Sequence, residues 1–347
     1  MLADPIHSIS AAAMDDAAVE SANTPPARRL PGWLMPLLRV AATVGLMAMV
    51  LSKIEWDALL STMRGCNWGW WFAGLAVSVF VQCIAGIRWA ALARPIGFQF
   101  PVATFLWRFF EGLFFNLCLP SSIGGDLVKA YRLADSTSGR LLAGCTVLAD
   151  RLTGLAALAV LACTAILTKQ WELGVSATLS VGAVLLGAAL AAFWLGVGSI
   201  DRVLSAVPEP HRARQFIAQL LPYQRQPALM TRAVGWSLLI QMGGSVAVAL
   251  VAKALGVSLP LATWFAVVPL VTLAMVLPIS MLGLGIREQG LEFLLAPHGV
   301  PPEKAVAIGL LWLACTIVAG LAGGVLFLLD RKPLSTQSPP GQPPQPA

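Results

Sequence analysis

Charged residues are scarce in this chain. Only 12% of its 347 residues are Asp, Glu, Lys or Arg, about half of the roughly 25% that is usual in soluble domains. At the same time, 57% of the residues are hydrophobic. This balance excludes an ordinary soluble domain and indicates a protein that crosses a membrane several times. The uncharged stretches 175–200, 233–252 and 305–329 are each long enough for a membrane helix, which needs about 20 apolar residues.

Residues that usually bind metals or carry out catalysis are also few. The chain has three histidines, in polar tails or loops, and six scattered cysteines without a CxxC pair or a Cys/His cluster. We therefore expect no metal site, no disulfide framework and no catalytic residue of this kind. The sequence contains no Walker A motif and indicates no cofactor. Its net charge of +6 does not indicate nucleic-acid binding, because the basic residues lie at the ends of apolar segments.

The chain divides into two tails and one apolar region. Residues 1–32, rich in Ala, Ser, Asp and Pro, predict a disordered cytoplasmic tail, and the Pro/Gln-rich residues 333–347 predict a second one. Residues 33–332 predict one all-α polytopic transmembrane domain. Full spans are predicted at about 34–52, 68–92, 141–168, 174–199, 230–253 and 304–329. Two more segments, about 102–135 and 259–299, are each interrupted by a Pro/Ser/Gly break that a basic residue follows.

The distribution of basic residues decides how these two segments are interpreted. If both crossed the membrane once, the basic loop 200–229 would lie outside, against the positive-inside rule. If segment 102–135 enters the membrane from the cytoplasm and returns to the same side, this loop lies inside. If segment 259–299 likewise enters from the outside and returns, the C-terminus also lies inside. We therefore predict cytoplasmic termini in a multi-pass protein of the bacterial inner membrane. Arg88 and Arg108 are expected to extend to the inner interface.

The two breaks resemble each other in sequence. The first reads LPSSIGGDLVKAYRL and the second LPISMLGLGIREQGLEFLL. With the prolines aligned and no gaps, the matching pairs are Pro120 and Pro278, Ser122 and Ser280, Gly125 and Gly283, and Lys129 and Arg287. We predict two broken, re-entrant helices related as an inverted repeat. The positions expected to break them are Pro120, Pro278, Gly283 and Gly285.

A broken helix leaves backbone polar groups unpaired at mid-membrane depth, where they must pack in protein or line a wet cavity. Interrupted segments at matching positions are the best sequence indication of a transporter's binding site. The helix that starts after Gly124 and Gly125 is expected to point free N–H groups into this cavity, which favours an anion such as a lipid phosphate. The predicted substrate-binding residues are Ser122, Gly124, Gly125, Asp126, Lys129, Ser280, Arg287 and Glu288.

Ionisable residues inside a membrane are costly and indicate function by default. We expect Glu111, Asp150 and Arg151 to take part in intramembrane charge pairing. For Asp150 and Arg151, a purely structural role in helix packing is an equally good interpretation.

Three stretches carry a resemblance to a known family. They are FFNLCLPSSIGGDLVKAYRL, LADRLTGLAALAV and LPISMLGLGIREQGLEFLL, and they resemble the hallmark stretches of the lysylphosphatidylglycerol synthase transmembrane region, a flippase-like family of bacteria and archaea. The resemblance covers roughly residues 35–330. It implies a multi-spanning domain that moves or handles lipids and lipid-linked groups. The soluble aminoacyl transferase part of the best-known members has no counterpart in these stretches, so synthase activity is not expected, and other stand-alone relatives are linked to hopanoid or glycolipid pathways.

Three functions remain open at this level. The favoured one is a flippase or translocase for a phosphate-bearing lipid or lipid-linked group, with that lipid as the partner. The first alternative is an intramembrane transferase that uses a lipid or polyprenyl-phosphate donor, although the acidic residues occur singly and not as a metal-binding cluster. The second is a non-catalytic scaffold of a lipid, hopanoid or glycolipid pathway.

Overall fold

Apolar helical segments set the architecture of this chain. In the computed structural model, the structure describes residues 34–52, 55–119, 124–134, 136–168, 198–206, 214, 217–276 and 280–330. Within these ranges the regular elements are helices, and no strand occurs. The chain divides into two units, Met1–Leu38, described only from residue 34 on, and Arg39–Ala347, which contains all the interactions given below.

The described part of the chain contains twelve α-helices. In chain order they are α1 (Leu34–Leu51), α2 (Trp56–Arg64), α3 (Trp68–Ala93), α4 (Val102–Cys118), α5 (Gly124–Leu133), α6 (Thr137–Thr168), α7 (Ile200–Ala206), α8 (Leu221–Gln224), α9 (Pro227–Ala254), α10 (Leu261–Val276), α11 (Ile286–Leu295) and α12 (Pro302–Leu329). By length and composition, α3, α6, α9 and α12 can each cross a membrane. The prediction of an all-α polytopic membrane protein is therefore confirmed. The predicted span 174–199 lies outside the described residues up to residue 197.

The first interrupted segment forms two short helices that pack against each other. At 1.5 Å per residue, the 17 residues of α4 and the 10 residues of α5 extend about 26 and 15 Å, less than the roughly 30 Å of a bilayer core. The two helices approach closely, because a Cβ on Gly125 would lie 2.0 Å from the carbonyl oxygen of Gly112. We call this pair the first hairpin. Its connection, residues 120–123, lies outside the described residues.

The second interrupted segment has the same organisation. The 16 residues of α10 and the 10 residues of α11 are likewise too short to span the bilayer separately, and a Cβ on Gly290 of α11 would lie 3.2 Å from the Val271 side chain of α10. Gly283 and Gly285 have φ values of 71° and 82°, in the left-handed region that glycine adopts without steric strain. They prevent a continuous helix, and we call this pair the second hairpin.

The two hairpins enter the helix bundle from opposite ends. Helices α3 and α9 are antiparallel, because the Asn67 N–H donates to the Ala254 carbonyl at 2.8 Å and the Tyr223 hydroxyl donates to the Leu92 carbonyl at 2.8 Å. The first hairpin follows α3 at the Leu92 end, and the second hairpin follows α9 at the Ala254 end. The assignment of these ends to the two membrane faces stays a prediction.

Helices α6 and α12 each contact both hairpins. In the first hairpin α4 packs on α12 and α5 on α6, and in the second hairpin α10 packs on α6 and α11 on α12. Small residues allow membrane helices to pack closely, where van der Waals contact replaces the hydrophobic effect. Gly323 is such a residue and allows α12 to approach α4 closely. A Cβ at this position would lie 1.9 Å from the Phe110 carbonyl oxygen of α4. The hairpins are therefore held by two long helices that they share.

Candidate functional site

Three charged side chains meet where α5 packs against α6. The carboxylate of Asp126 lies 2.8 Å from the Lys129 ammonium, one turn along α5, and 2.6 Å from the Arg151 guanidinium of α6. We call Asp126, Lys129 and Arg151 the triad. It carries two positive charges and one negative charge.

The surroundings of Lys129 are aromatic and close-packed. Its Nζ lies 4.5 Å from the ring centre of Phe109 and 5.7 Å from that of Trp89, within the range of cation–π attraction. Gly112 leaves room for its aliphatic stem, because a Cβ there would lie 2.6 Å from Lys129 Cγ. Lys129 is therefore buried, 5% exposed, yet keeps its charge satisfied by a carboxylate and two ring faces.

Arg151 connects the triad to the surface of the protein. Its side chain is 53% exposed, whereas that of Asp126 is 6% exposed. Exposed apolar side chains flank it on the same two helices, among them Leu127 on α5 and Leu152 and Leu155 on α6. In a membrane-spanning domain such an apolar face is expected to contact lipid, and the side chain of Arg151 lies between this face and the buried charges of the first hairpin.

A second group of charges fixes the open end of the first hairpin. Glu111 of α4 accepts hydrogen bonds from Arg108 at 2.9 and 3.0 Å and lies 3.2 Å from Arg132 of α5. Asp330, at the end of α12, binds Arg132 at 2.7 Å and also pairs with Arg108. These four residues join α4, α5 and α12 through two positive and two negative charges, and we call them the end network.

A third pair joins three long helices. Arg88 of α3 donates to Asp150 of α6 at 2.9 Å and also to the hydroxyl of Ser237 on α9. Arg88 and Arg108 are 7% and 4% exposed, and each binds a carboxylate within the protein. Their extension to the inner interface stays a prediction.

The break of the second hairpin holds a closed charge pair. The guanidinium of Arg287 lies 2.7 Å from Glu288 Oε1, and Glu288 Oε2 accepts from the Gly285 N–H at 2.6 Å. Both side chains are almost completely buried, and the Arg287 guanidinium lies 5.7 Å from the ring centre of Trp312. Here the acid caps its own helix and neutralises its neighbour, so both charges are satisfied within one turn.

The two hairpins place an acid at the same helical position. Asp126 is the third residue of α5, and Glu288 is the third residue of α11. Glu288 turns back to its own helix end, whereas Asp126 binds Lys129 and Arg151. Asp126 and Glu288 therefore occupy the same position in their helices, whereas Lys129 and Arg287, which the proline alignment pairs, do not.

The remaining predicted site residues have different surroundings. Gly125 is buried, and its N–H donates to the Asn116 side chain at 2.9 Å; free N–H groups in the turn that follows stay a prediction. Gly124 packs against Leu119, because a Cβ on it would lie 2.6 Å from that side chain. The hydroxyl of Ser280 is buried without a hydrogen-bond partner among the described residues. Residues predicted on the connections, namely Pro120, Ser122 and Pro278, lie outside the described residues.

The end network includes members that the sequence analysis did not identify. Arg132 and Asp330 each lie at the end of an apolar segment, where a charge is ordinary in a membrane protein. For Arg132 the sequence contained one indication of a role in the protein interior, because this residue lies one helical turn after Lys129. The partner of Arg151 was also missed, since 25 residues separate it from Asp126.

Comparison with known proteins gives one finding. The sequence model of one protein family, described as Lysylphosphatidylglycerol synthase TM region, matches residues 37–324. No curated protein and no solved structure matches the chain.

Proposed function

Because the chain belongs to the lysylphosphatidylglycerol synthase TM region family, we propose that it moves a phosphate-bearing lipid or lipid-linked group between membrane leaflets. The physical task is to carry a charged headgroup through hydrocarbon, where an unpaired charge costs several kcal/mol. A protein can lower this barrier by offering fixed cations along a path that lipid can reach from the side. We place the protein in a bacterial inner membrane with both termini in the cytoplasm.

One observation carries this proposal, the surplus positive charge of the triad. Among the described residues, the pair of Arg88 with Asp150, the pair of Arg287 with Glu288 and the end network each contain equal numbers of positive and negative side chains. The triad has two cations for one carboxylate. Asp126 and Lys129 are each 5% exposed, so their charges are weakly screened, and a surplus positive charge beside them favours an additional anion.

The position of Arg151 supports a lipid rather than a soluble substrate. Its guanidinium lies among exposed apolar side chains, where a headgroup at the membrane interface can reach it while the acyl chains stay in lipid. The opposite orientation of the two hairpins supports access from both ends of the bundle. We assign the second hairpin a structural part, since Arg287 and Glu288 satisfy each other.

A translocation assay tests the proposal. Purified protein in liposomes should speed the movement of a labelled phosphatidylglycerol between leaflets, measured by leaflet-specific quenching, while mass spectrometry of the same sample shows an unchanged lipid. Arg151→Gln should slow this movement about tenfold or more, because it removes a charge-assisted hydrogen-bond donor. Arg225→Gln, which neutralises an exposed arginine beside α8, is the matched control and should keep the wild-type rate.

Two results would contradict the proposal. A change in lipid mass without redistribution would favour the transferase alternative. The absence of both effects with phosphodiester and phosphomonoester lipids would favour the scaffold alternative.

A further inference from the structure

Asp126 acts as an internal counter-anion of the triad. Its carboxylate touches both cations, at 2.8 Å and 2.6 Å, and it is 5% exposed. It thereby occupies part of the positive site that an anionic headgroup would otherwise fill. The carboxylate belongs to α5 and cannot leave, so any bound anion must share Lys129 and Arg151 with it.

The number of charges then limits which anion fits. With Asp126 ionised, the triad carries one surplus positive charge, which a headgroup with a single negative charge neutralises. A headgroup with two negative charges would leave the triad with a net negative charge and would bring a second anionic oxygen close to Asp126. Like charges at close range are unfavourable, and the burial of Asp126 weakens the screening between them.

We propose that Asp126 makes this site selective for lipids whose headgroup carries one negative charge. The phosphate of a phosphodiester lipid carries one negative charge, and the headgroup keeps it where no cationic group is attached, whereas the phosphate of a phosphomonoester takes on a second negative charge above its second pKa of about 6. This inference rests on the proposed function and adds the charge class of the substrate. The lipid-facing position of Arg151 beside Leu152 and Leu155 assigns the phosphodiester to a membrane lipid and not to a soluble compound.

Two lipids that differ by one methyl group test the selectivity. Labelled phosphatidylmethanol is a phosphodiester with one negative charge, and labelled phosphatidate is the corresponding phosphomonoester. The rates are measured in liposomes at pH 8, and the rate of protein-free vesicles is subtracted. The wild-type protein should move phosphatidylmethanol about tenfold faster than phosphatidate, or more. Dimethyl phosphate, a soluble phosphodiester monoanion, should not slow this movement at millimolar concentration.

Charge variants supply the decisive comparison. Asp126→Asn raises the surplus from one positive charge to two, so phosphatidate should become the faster lipid. Asp126→Asn combined with Arg151→Gln returns the surplus to one and should restore the preference for phosphatidylmethanol. Asp57→Asn removes an exposed acid of α2, changes the total charge equally and should keep the wild-type ratio.

Each outcome has a clear meaning. Equal rates for the two lipids with the wild-type protein, or an unchanged ratio in Asp126→Asn, would overturn the selectivity inference and leave the proposed function standing. Movement of neither lipid would overturn the proposed function itself. If Asp126→Asn is lost from the membrane, the double variant decides, because a preference for phosphatidate there would overturn the inference from charge counting. Inhibition by dimethyl phosphate would overturn the assignment to a membrane lipid.

Discussion

Replacing Glu288 with glutamine removes one member of the closed charge pair in the second hairpin. In the native protein, one oxygen of Glu288 lies 2.7 and 3.0 Å from the Arg287 guanidinium and the other accepts from the Gly285 N–H. Glutamine keeps an oxygen for Gly285 but leaves the guanidinium charge buried without a counter-ion. Breaking a buried pair in this way costs about 3–5 kcal/mol, so Glu288→Gln should lower the free energy of unfolding by about that amount.

Removing both charges should restore most of this stability. In the double variant Arg287→Met, Glu288→Gln, no charge stays buried, and the methionine can pack against Trp312, which the arginine already approaches at 5.7 Å. Replacement of a whole buried pair by apolar groups of similar volume is often close to neutral. We expect the double variant to lie within about 2 kcal/mol of the wild type and to translocate lipid at the wild-type rate.

Denaturant titration in mixed micelles measures the unfolding free energies, and the liposome assay measures the rates. A double variant as unstable as Glu288→Gln would refute the view that the pair mainly cancels two buried charges. A stable double variant that no longer moves lipid would show that Arg287 and Glu288 act on the substrate, and the site would then extend to both hairpins.

Two further predictions concern packing and topology. Gly125→Ala should lower the unfolding free energy by about 1–3 kcal/mol, since its Cβ would lie 2.0 Å from the Gly112 carbonyl oxygen. Gly144→Ala is the control and should not lower it, because a Cβ at Gly144 meets nothing within 4 Å. Equal thermal midpoints for the two variants would contradict the close packing of the first hairpin. In a chain without native cysteines, Arg212→Cys and Pro340→Cys should both resist a membrane-impermeant maleimide applied to intact cells. Ready labelling at 212 would contradict the cytoplasmic loop, and labelling at 340 alone would contradict only the return of the second hairpin.

Hydropathy was sufficient to predict the helical class and the two interrupted segments. Long uncharged runs form helices in a membrane because no other local structure satisfies their backbone, and α3, α9 and α12 begin and end within three residues of the predicted spans. The breaks were also predictable, because proline and glycine within an apolar run indicate an interrupted helix.

Charge partners on separate helices could not be predicted, because they depend on how the helices pack. Arg88 lies near the end of its segment, which suggested the interface, but Asp150 is 62 residues away in sequence and 2.9 Å away in space. The hydrogen bond of the Gly125 N–H was equally unpredictable, since its acceptor, Asn116, lies on the facing helix. In both cases the hydrogen-bond acceptor is a side chain on a neighbouring helix.

The internal repeat shows a different limit of sequence alignment. Matching the prolines pairs Gly125 with Gly283, but Gly125 is already helical, whereas Gly283 and Gly285 have positive φ values. The second short helix therefore begins later relative to its proline, at Ile286. This shift brings Glu288 to the helical position of Asp126. Backbone conformation, which residue identity alone did not specify, thus decides which charged residues correspond.

The central claim is that an anionic lipid headgroup binds at the triad, and site-specific photo-cross-linking tests it most directly. A photoreactive amino acid replaces Leu127, which is 65% exposed beside Asp126, and in a second protein it replaces Phe80 of α3, which is also 65% exposed. We predict that phosphatidylglycerol cross-links at position 127 several-fold more than phosphatidylcholine, that Arg151→Gln abolishes this excess, and that position 80 shows no excess. Equal cross-linking of both lipids at both positions, unaffected by Arg151→Gln, would contradict the claim.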